Sequence, residues 1–196
     1  NFSYTEIILK LLSNPSIASK RWIYNQYDSQ VQSNTVFKPG ESDAAVIRLR
    51  EQNEKNKNKE FSAIAASVDC NSRWVFLDPY RGTIAAVAES ARNVSCVGAE
   101  PLAITNNLNF SSPETEIGFW QLSSSCDGIS EACKILETPV TGGNVSLYNE
   151  SKNTENKITP IYPTPVIGMI GKIDNTEKAI SSGWKNIDDQ IWLIGS

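Results

Sequence analysis

Two stretches carry side chains and backbone suited to holding an anionic ligand together with a hard cation. One is Ile104-Thr105-Asn106-Asn107-Leu108-Asn109-Phe110, and the other is Thr141-Gly142-Gly143-Asn144-Val145-Ser146-Leu147-Tyr148-Asn149-Glu150. Each reads as a loop that places polar groups at the end of an apolar strand, where backbone donors and short side chains converge on a ligand. Paired glycines let main-chain N–H groups approach a phosphate closely. An amide oxygen such as that of Asn144 can coordinate Mg2+ already bound by phosphates, and the Ser146 hydroxyl can donate to another oxyanion. Gly-Gly-Asn is equally what a tight turn with positive φ angles demands, so both readings stand at this point. No Gly-Lys-Ser/Thr follows, which excludes a Walker A loop.

Composition narrows the remaining chemistry. The chain has 196 residues and no histidine, which excludes a Ser-His-Asp triad, a Cys-His dyad, an HExxH zinc site and a Cys2His2 finger. The length allows one full domain and part of a second. A net charge of −4 and a sequence pI of about 5.0 give no global attraction to phosphate backbones, so nucleic acid is not an expected partner. No run of roughly 18 apolar residues exists, so a membrane-spanning segment is not expected either. The chain opens at Asn1 and closes on Ile191-Trp192-Leu193-Ile194-Gly195-Ser196, an ending that reads as a strand cut from its sheet.

Four cysteines and five Asn-x-Ser/Thr matches, at Asn1, Asn93, Asn109, Asn144 and Asn149, suit a secreted disulfide-linked chain. Periodicity argues for reduced thiols instead. From Leu122 the apolar residues fall at Cys126, Ile129, Cys133 and Leu136, the spacing of a buried helical stripe. Seven residues of helix hold Cys126 and Cys133 about 10 Å apart, beyond the reach of a disulfide. The expectation is four mostly buried free thiols in a cytoplasmic protein.

The elements that must position the two stretches follow from pattern. Tyr4 to Leu12 and Ser16 to about Tyr27 read as helices divided by Asn14-Pro15, the second docking through Ile17, Trp22 and Ile23. A polar linker follows. Ala45, Ile47 and Leu49 alternate with Val46, Arg48 and Arg50, which predicts a strand whose second face is the wetter one. Glu51 to Glu60 reads as a solvated hairpin tip leading to a strand over Ile64 to Val68. Thr83 is expected to cap a helix that buries Ile84, Val87, Ala88, Ala91 and Val94 and stops at Gly98. Leu102 to Phe110 is a strand, Pro113 to Glu137 a helix, Pro139 to Ser146 a short strand and glycine loop, and Val166 to Ile173 a strand. This order predicts an α+β domain with helices on one face of a mixed, largely antiparallel sheet, whose other face needs a cover.

Seven blocks then occur in a characteristic order. They are Tyr24-Asn25-Gln26-Tyr27-Asp28, Asp69-Cys70-Asn71-Ser72-Arg73, Leu77-Asp78-Pro79, Ala88-Glu89-Ser90-Ala91-Arg92-Asn93, Gly98 to Thr105, Gly142 to Glu150 and Ile161 to Gly168. Across nearly its whole length the chain resembles the phosphoribosylformylglycinamidine synthase (PurL) family, in the second of its two related halves.

The resemblance implies a PurM-like fold. In that fold the N-terminal lobes of the two halves pair through their sheets into a barrel-like core. It implies residues 1–40 as a helical segment and linker, 41–173 as the ATP-binding N-terminal domain, and 174–196 as the start of a truncated C-terminal domain. The implied reaction is an ATP-dependent ligation that activates an amide oxygen, apparently as an iminophosphate. It converts formylglycinamide ribonucleotide, ATP and glutamine-derived ammonia to formylglycinamidine ribonucleotide. The family's motifs place Asn106 and Gly143 at ATP, Asn144 at Mg2+ and Ser146 at the ribonucleotide substrate. No catalytic residue is assigned in this chain.

Many members carry aspartate where Asn106 stands, so a direct metal role for Asn106 is not implied. The family's Glu-Ser-His-Asn-His stretch lies in the first half, and Asn71 stands at its counterpart here. The implied partners are that first half, the glutaminase subunit PurQ with PurS, and a second copy of this segment through the exposed sheet. Two rival readings are a non-catalytic half with a structural nucleotide site, and another PurM-like ATP enzyme. Asp69 and Asp78 are either metal ligands or turn and cap residues. Arg73 and Arg92 either bind phosphate or form salt bridges, and the five tryptophans are read as packing residues.

Overall fold

The computed structural model describes residues 3–50 and 61–195. The Asn-x-Ser match at Asn1 and the charged stretch 51–60 lie outside the described residues.

Helix α1, Tyr4–Ser13, starts at a capping box in which Ser3 and Glu6 bond reciprocally, and ends at Asn14 before Pro15. None of its residues is buried. The second helix, α2, is only Arg21–Tyr24, far shorter than the pattern suggested, and Ile17, Trp22 and Ile23 remain exposed. A short helix needs tertiary packing to persist, and of its apolar side chains only Tyr24, which lies near Gly40, is partly buried among the described residues.

The core is a five-stranded sheet under a helical layer. Its strands are β1 Ala45–Arg48, β2 Ala63–Asp69, β3 Glu100–Asn109, β4 Val140–Ser146 and, at the end of the chain order, β7 Thr164–Ile173. The spatial order is β1-β2-β7-β3-β4, antiparallel throughout except for the parallel pair β3 and β4. A parallel pair needs a long crossover, supplied by α5, Glu116–Leu136. A separate hairpin joins β5, Glu150–Lys152, to β6, Ile158–Pro160. Sequence patterning missed it, although Asn153 marks its turn by accepting from the N–H groups of Glu155 and Lys157.

Two helices precede β3. α3, Ser72–Leu77, begins at Asn71, whose side chain accepts from Trp74 N at 3.2 Å. α4, Pro79–Cys96, begins at Asp78, whose carboxylate accepts from Arg81 N at 3.0 Å, with proline in the first turn. Thr83, expected to be that cap, lies inside the helix, fully buried, and donates to Pro79 O. Asp-Pro is the stronger start signal and places the cap five residues earlier.

α4 packs on β2, β7 and β3, and α5 packs on α4. The buried residues of α5 are Gly118, Gln121, Ser125, Gly128, Ile129, Ala132 and Cys133. Cys126 of the expected stripe is exposed, and Leu136 is 37% exposed. The stripe turns because the two helices approach through small residues. A Cβ on Gly128 would sit 2.5 Å from Tyr80 O. Close approach thus selects the small-residue face over the more apolar one.

Among the described residues no helix covers the second sheet face. Val46, expected on the wet face of β1, is fully buried toward the helices, while Ile47 is 47% exposed on the open side. Arg48 shares the Val46 side, where its guanidinium lies 5.2 Å from the Phe61 ring centre. By ladder register Ile47, Val68 and Ile170 all lie on the open face, and all three are exposed. The five tryptophans, read from the sequence as packing residues, are exposed too, and the one large aromatic among the buried core residues is Phe110. Among the described residues no helix is long and apolar enough to cross a membrane.

Candidate nucleotide and metal site

The two chemical stretches are neighbouring parallel strands rather than loops. Asn106 lies beside Gly143, Asn107 beside Asn144 and Asn109 beside Ser146. Neither Gly142 nor Gly143 has a positive φ, so the tight-turn reading does not hold. Gly143 is required by its neighbour. A Cβ there would stand 2.0 Å from Asn106 Oδ1 and 2.5 Å from Asn106 O, whereas a Cβ on Gly142 would meet nothing within 4 Å.

Strand alternation sorts the remaining residues. Asn106 is paired with buried Ile167 and lies on the helix-covered side. Asn107, Asn109, Asn144 and Ser146 lie on the open side, together with Val166 and Thr164. The structure therefore joins Asn106 to Gly143 and Asn144 to Ser146, with the two pairs on opposite faces of one ribbon. Asn106, Gly143 and Asn144 line a depression of about 430 Å³, together with Val68, Thr105, Asn107, Val166 and Gly168, whereas Ser146 is not among its lining residues. No ionisable side chain lines it.

The amides are ordered by one another. Asn144 Nδ2 donates to Asn107 Oδ1 at 3.3 Å. Asn109 Nδ2 donates to Asn107 O at 3.0 Å and to Asn107 Oδ1 and Thr164 O at 3.3 Å. The Ser146 hydroxyl is clasped by Asn149, whose Nδ2 lies 2.8 Å from Ser146 O and 3.1 Å from both Ser146 Oγ and Phe110 O. From the sequence Asn149 stands out only as an Asn-x-Ser match and as part of the second stretch, with no role at Ser146. Its position just after Tyr148, which has φ 58°, is the kind of turn site where a carboxamide serves best.

With this geometry in place, comparison with known proteins decides the family. The AIR synthase related protein N-terminal domain family matches residues 41–173. The chain belongs to that family. It is 87% identical over its whole length to the phosphoribosylformylglycinamidine synthase subunit PurL of Prochlorococcus marinus strain MIT 9312, and spans 25% of that protein. The structure of Thermotoga maritima PurL complexed with ATP is similar at TM-score 0.66 and 36% identity, covering 81% of this chain and 24% of that one. PurLQS from Thermotoga maritima is similar at TM-score 0.66 and 35% identity, covering 86% and 27%. The chain thus spans about a quarter of the relatives it matches. The AIR-synthase-related fold is the α+β arrangement expected from the sequence.

Other groups of this family member resolve into structural roles. Asp69, at the end of β2, accepts from Ser90 Oγ at 2.9 Å and from Asn93 Nδ2 at 3.1 Å, tying the strand to α4. Asp78 and Asn71 are helix caps. Arg73 and Arg92 form no ion pair among the described residues. Burial raises the Cys70 thiol to about 11, with Asp69 and Glu89 adding to the shift. Burial also raises Cys126 and Cys133. These three thiols stay protonated at neutral pH and are poor nucleophiles. Among the described residues no group of three or more Asp, Glu or Cys side chains is placed to hold a metal ion.

A larger cleft of about 790 Å³ lies between α3, the start of α5 and the β5–β6 hairpin, lined by Phe76, Ile117, Ile158, Ile161 and Tyr162 among others. It was not foreseen because the hairpin that walls it was not.

Proposed function

We propose that this chain is the second of two AIR-synthase-related halves of phosphoribosylformylglycinamidine synthase. In this reading the full-length protein converts formylglycinamide ribonucleotide, ATP and glutamine-derived ammonia to formylglycinamidine ribonucleotide, ADP and phosphate. The observation that carries the reading is the near-identity of the whole chain to a protein of that name. Likeness to a relative whose structure was solved with ATP, and to the PurLQS assembly, supports ATP as co-substrate and PurQ and PurS as partners. The family match over 41–173 supports a nucleotide-binding domain there, with 1–40 as entry segment and 174–196 as the start of the next domain. Free thiols suit the cytoplasm.

Within the site, Gly143 presents its backbone to ATP, with Asn106 packed against it. Asn144 offers Oδ1 to a divalent cation and Ser146 offers its hydroxyl to the ribonucleotide. The donor set fits such a cation as a partial ligand sphere: Asn144 Oδ1 receives no protein hydrogen bond, and a neutral amide suits Mg2+ whose other ligands are phosphates. A cation held there would neutralise charge on the phosphate oxygens. Among the described residues no imidazole or carboxylate lines this depression, and in this reading acid–base groups come from the first half, across the open sheet face. Pairing of that face, through exposed Ile47, Val68 and Ile170, would complete the barrel.

The test is Asn144→Ala in the full-length enzyme with ammonia as nitrogen donor. ATP-dependent amidination is expected to fall by roughly 10- to 100-fold. Activity within twofold of wild type would refute the metal role.

A further inference from the structure

The carboxamides on the open face form a directed chain. A backbone carbonyl can only accept, so Asn107 O and Thr164 O, at 3.0 and 3.3 Å, dictate that the Asn109 carboxamide turns its NH2 toward them. The same NH2 lies 3.3 Å from the Asn107 side chain, which must therefore turn its oxygen inward. That oxygen in turn takes the Asn144 NH2, also at 3.3 Å. Once its NH2 is committed, Asn144 has its Oδ1 free of donors among the described residues. The terminal torsion of asparagine is broad and two-fold, so an exposed Asn144 without this neighbour would present nitrogen as readily as oxygen. A cation needs oxygen.

We propose that Asn107 is a positioning residue. It relays the polarity of two backbone carbonyls, through Asn109, to Asn144, and so presets Asn144 Oδ1 for the divalent cation that accompanies ATP. This rests on the metal role of Asn144 argued above. The bonds are long and individually modest. Their contribution is direction, and removing the group that orients a metal ligand typically costs 10- to 100-fold in metal affinity. Position 107 is exposed, so its replacement leaves the core intact.

The experiment titrates Mn2+ by electron paramagnetic resonance into the full-length protein with a non-hydrolysable ATP analogue. Asn107→Leu, which removes the acceptor, is expected to weaken Mn2+ about tenfold. Asn107→Asp, which keeps an acceptor, is expected to bind at least as tightly as wild type. Asn107→Asp combined with Asn144→Ala should be as weak as Asn144→Ala alone, because the carboxylate acts through Asn144. If Asn144→Ala loses affinity while Asn107→Leu stays within twofold of wild type, the relay is overturned and the metal reading stands. If Asn144→Ala keeps its affinity, the metal reading falls and the relay with it. Equal losses in Asn107→Leu and Asn107→Asp would mean a merely structural role, and recovery in the double variant would mean direct ligation. Either overturns the relay.

Discussion

Gly143→Ala isolates the packing requirement at the centre of the site. The new Cβ would stand 2.0 Å from Asn106 Oδ1, the end of a side chain that can rotate, and 2.5 Å from Asn106 O, which cannot. Real Cβ contacts essentially never fall below 3.0 Å, so β4 must move from β3 by at least about 0.5 Å at this point. Overpacking of this kind costs about 1–3 kcal/mol. Because β4 is an edge strand held only by β3, it relieves the clash by shifting, which displaces Gly143, Asn144 and Ser146 together. At about 1.4 kcal/mol per tenfold, affinity for a non-hydrolysable ATP analogue should fall roughly 5- to 100-fold, measured calorimetrically on the full-length protein. Gly142→Ala is the matched control: nothing lies within 4 Å of its Cβ, so stability should change by no more than about 0.5 kcal/mol. Equal affinity losses in the two variants would refute the argument, since it assigns the effect to a contact only one of them makes.

Three further outcomes follow from the helical layer. Asp69→Ala leaves Ser90 and Asn93 without their shared acceptor and should destabilise the domain by about 1–3 kcal/mol, read as a lower melting transition; an unchanged transition would remove Asp69 from the structural account. Gly128→Ala forces a Cβ to 2.5 Å from Tyr80 O and should cost about 1–3 kcal/mol by prising α5 from α4, with faster amide exchange along both helices. For Cys70, a pKa raised to about 11 means a thiolate fraction near 10⁻³ at pH 8 that grows about tenfold per pH unit. Iodoacetamide labelling followed by mass spectrometry should track that slope, and rapid labelling at pH 7 would contradict it.

The sequence made the sheet and its two covering helices legible because period-two and small-residue patterns are local, and because Asn-Pro and Asp-Pro punctuate the chain. It was less informative wherever partner choice outweighed hydrophobicity. Val46 and Ile47 are both apolar, and only the helices decide which of them is inside. The α5 stripe was misread because Gly128 and Ala132 win the helix contact by size, over Cys126 and Leu136, which the hydropathy pattern favoured. The glycine pair reads from the sequence as a loop at the end of a short strand, because Gly-Gly weakens every strand signal, and is part of the strand itself. Its conformation comes from the β3 ladder. Asn107 escaped notice for a related reason: its partner Asn144 lies 37 positions away, and Thr164, which helps to orient Asn109, lies 55 positions from Asn109.

If the depression holds nucleotide as proposed, its amides can do so without histidine. Four carboxamides bring acceptors and donors without charge, and an aspartate at 107 or 144 facing triphosphate would be repelled wherever a cation did not intervene. Such neutral contacts are weak in water and gain strength when water is excluded. The open face that carries them runs on into Ile47, Val68 and Ile170, an apolar surface whose burial against the first half would dry the depression at its border. If the halves pair as proposed, pairing and ligand binding are coupled: separating the halves should weaken nucleotide affinity even with every residue of the site intact, and charge placed at Val68, at the shared border, should do both at once.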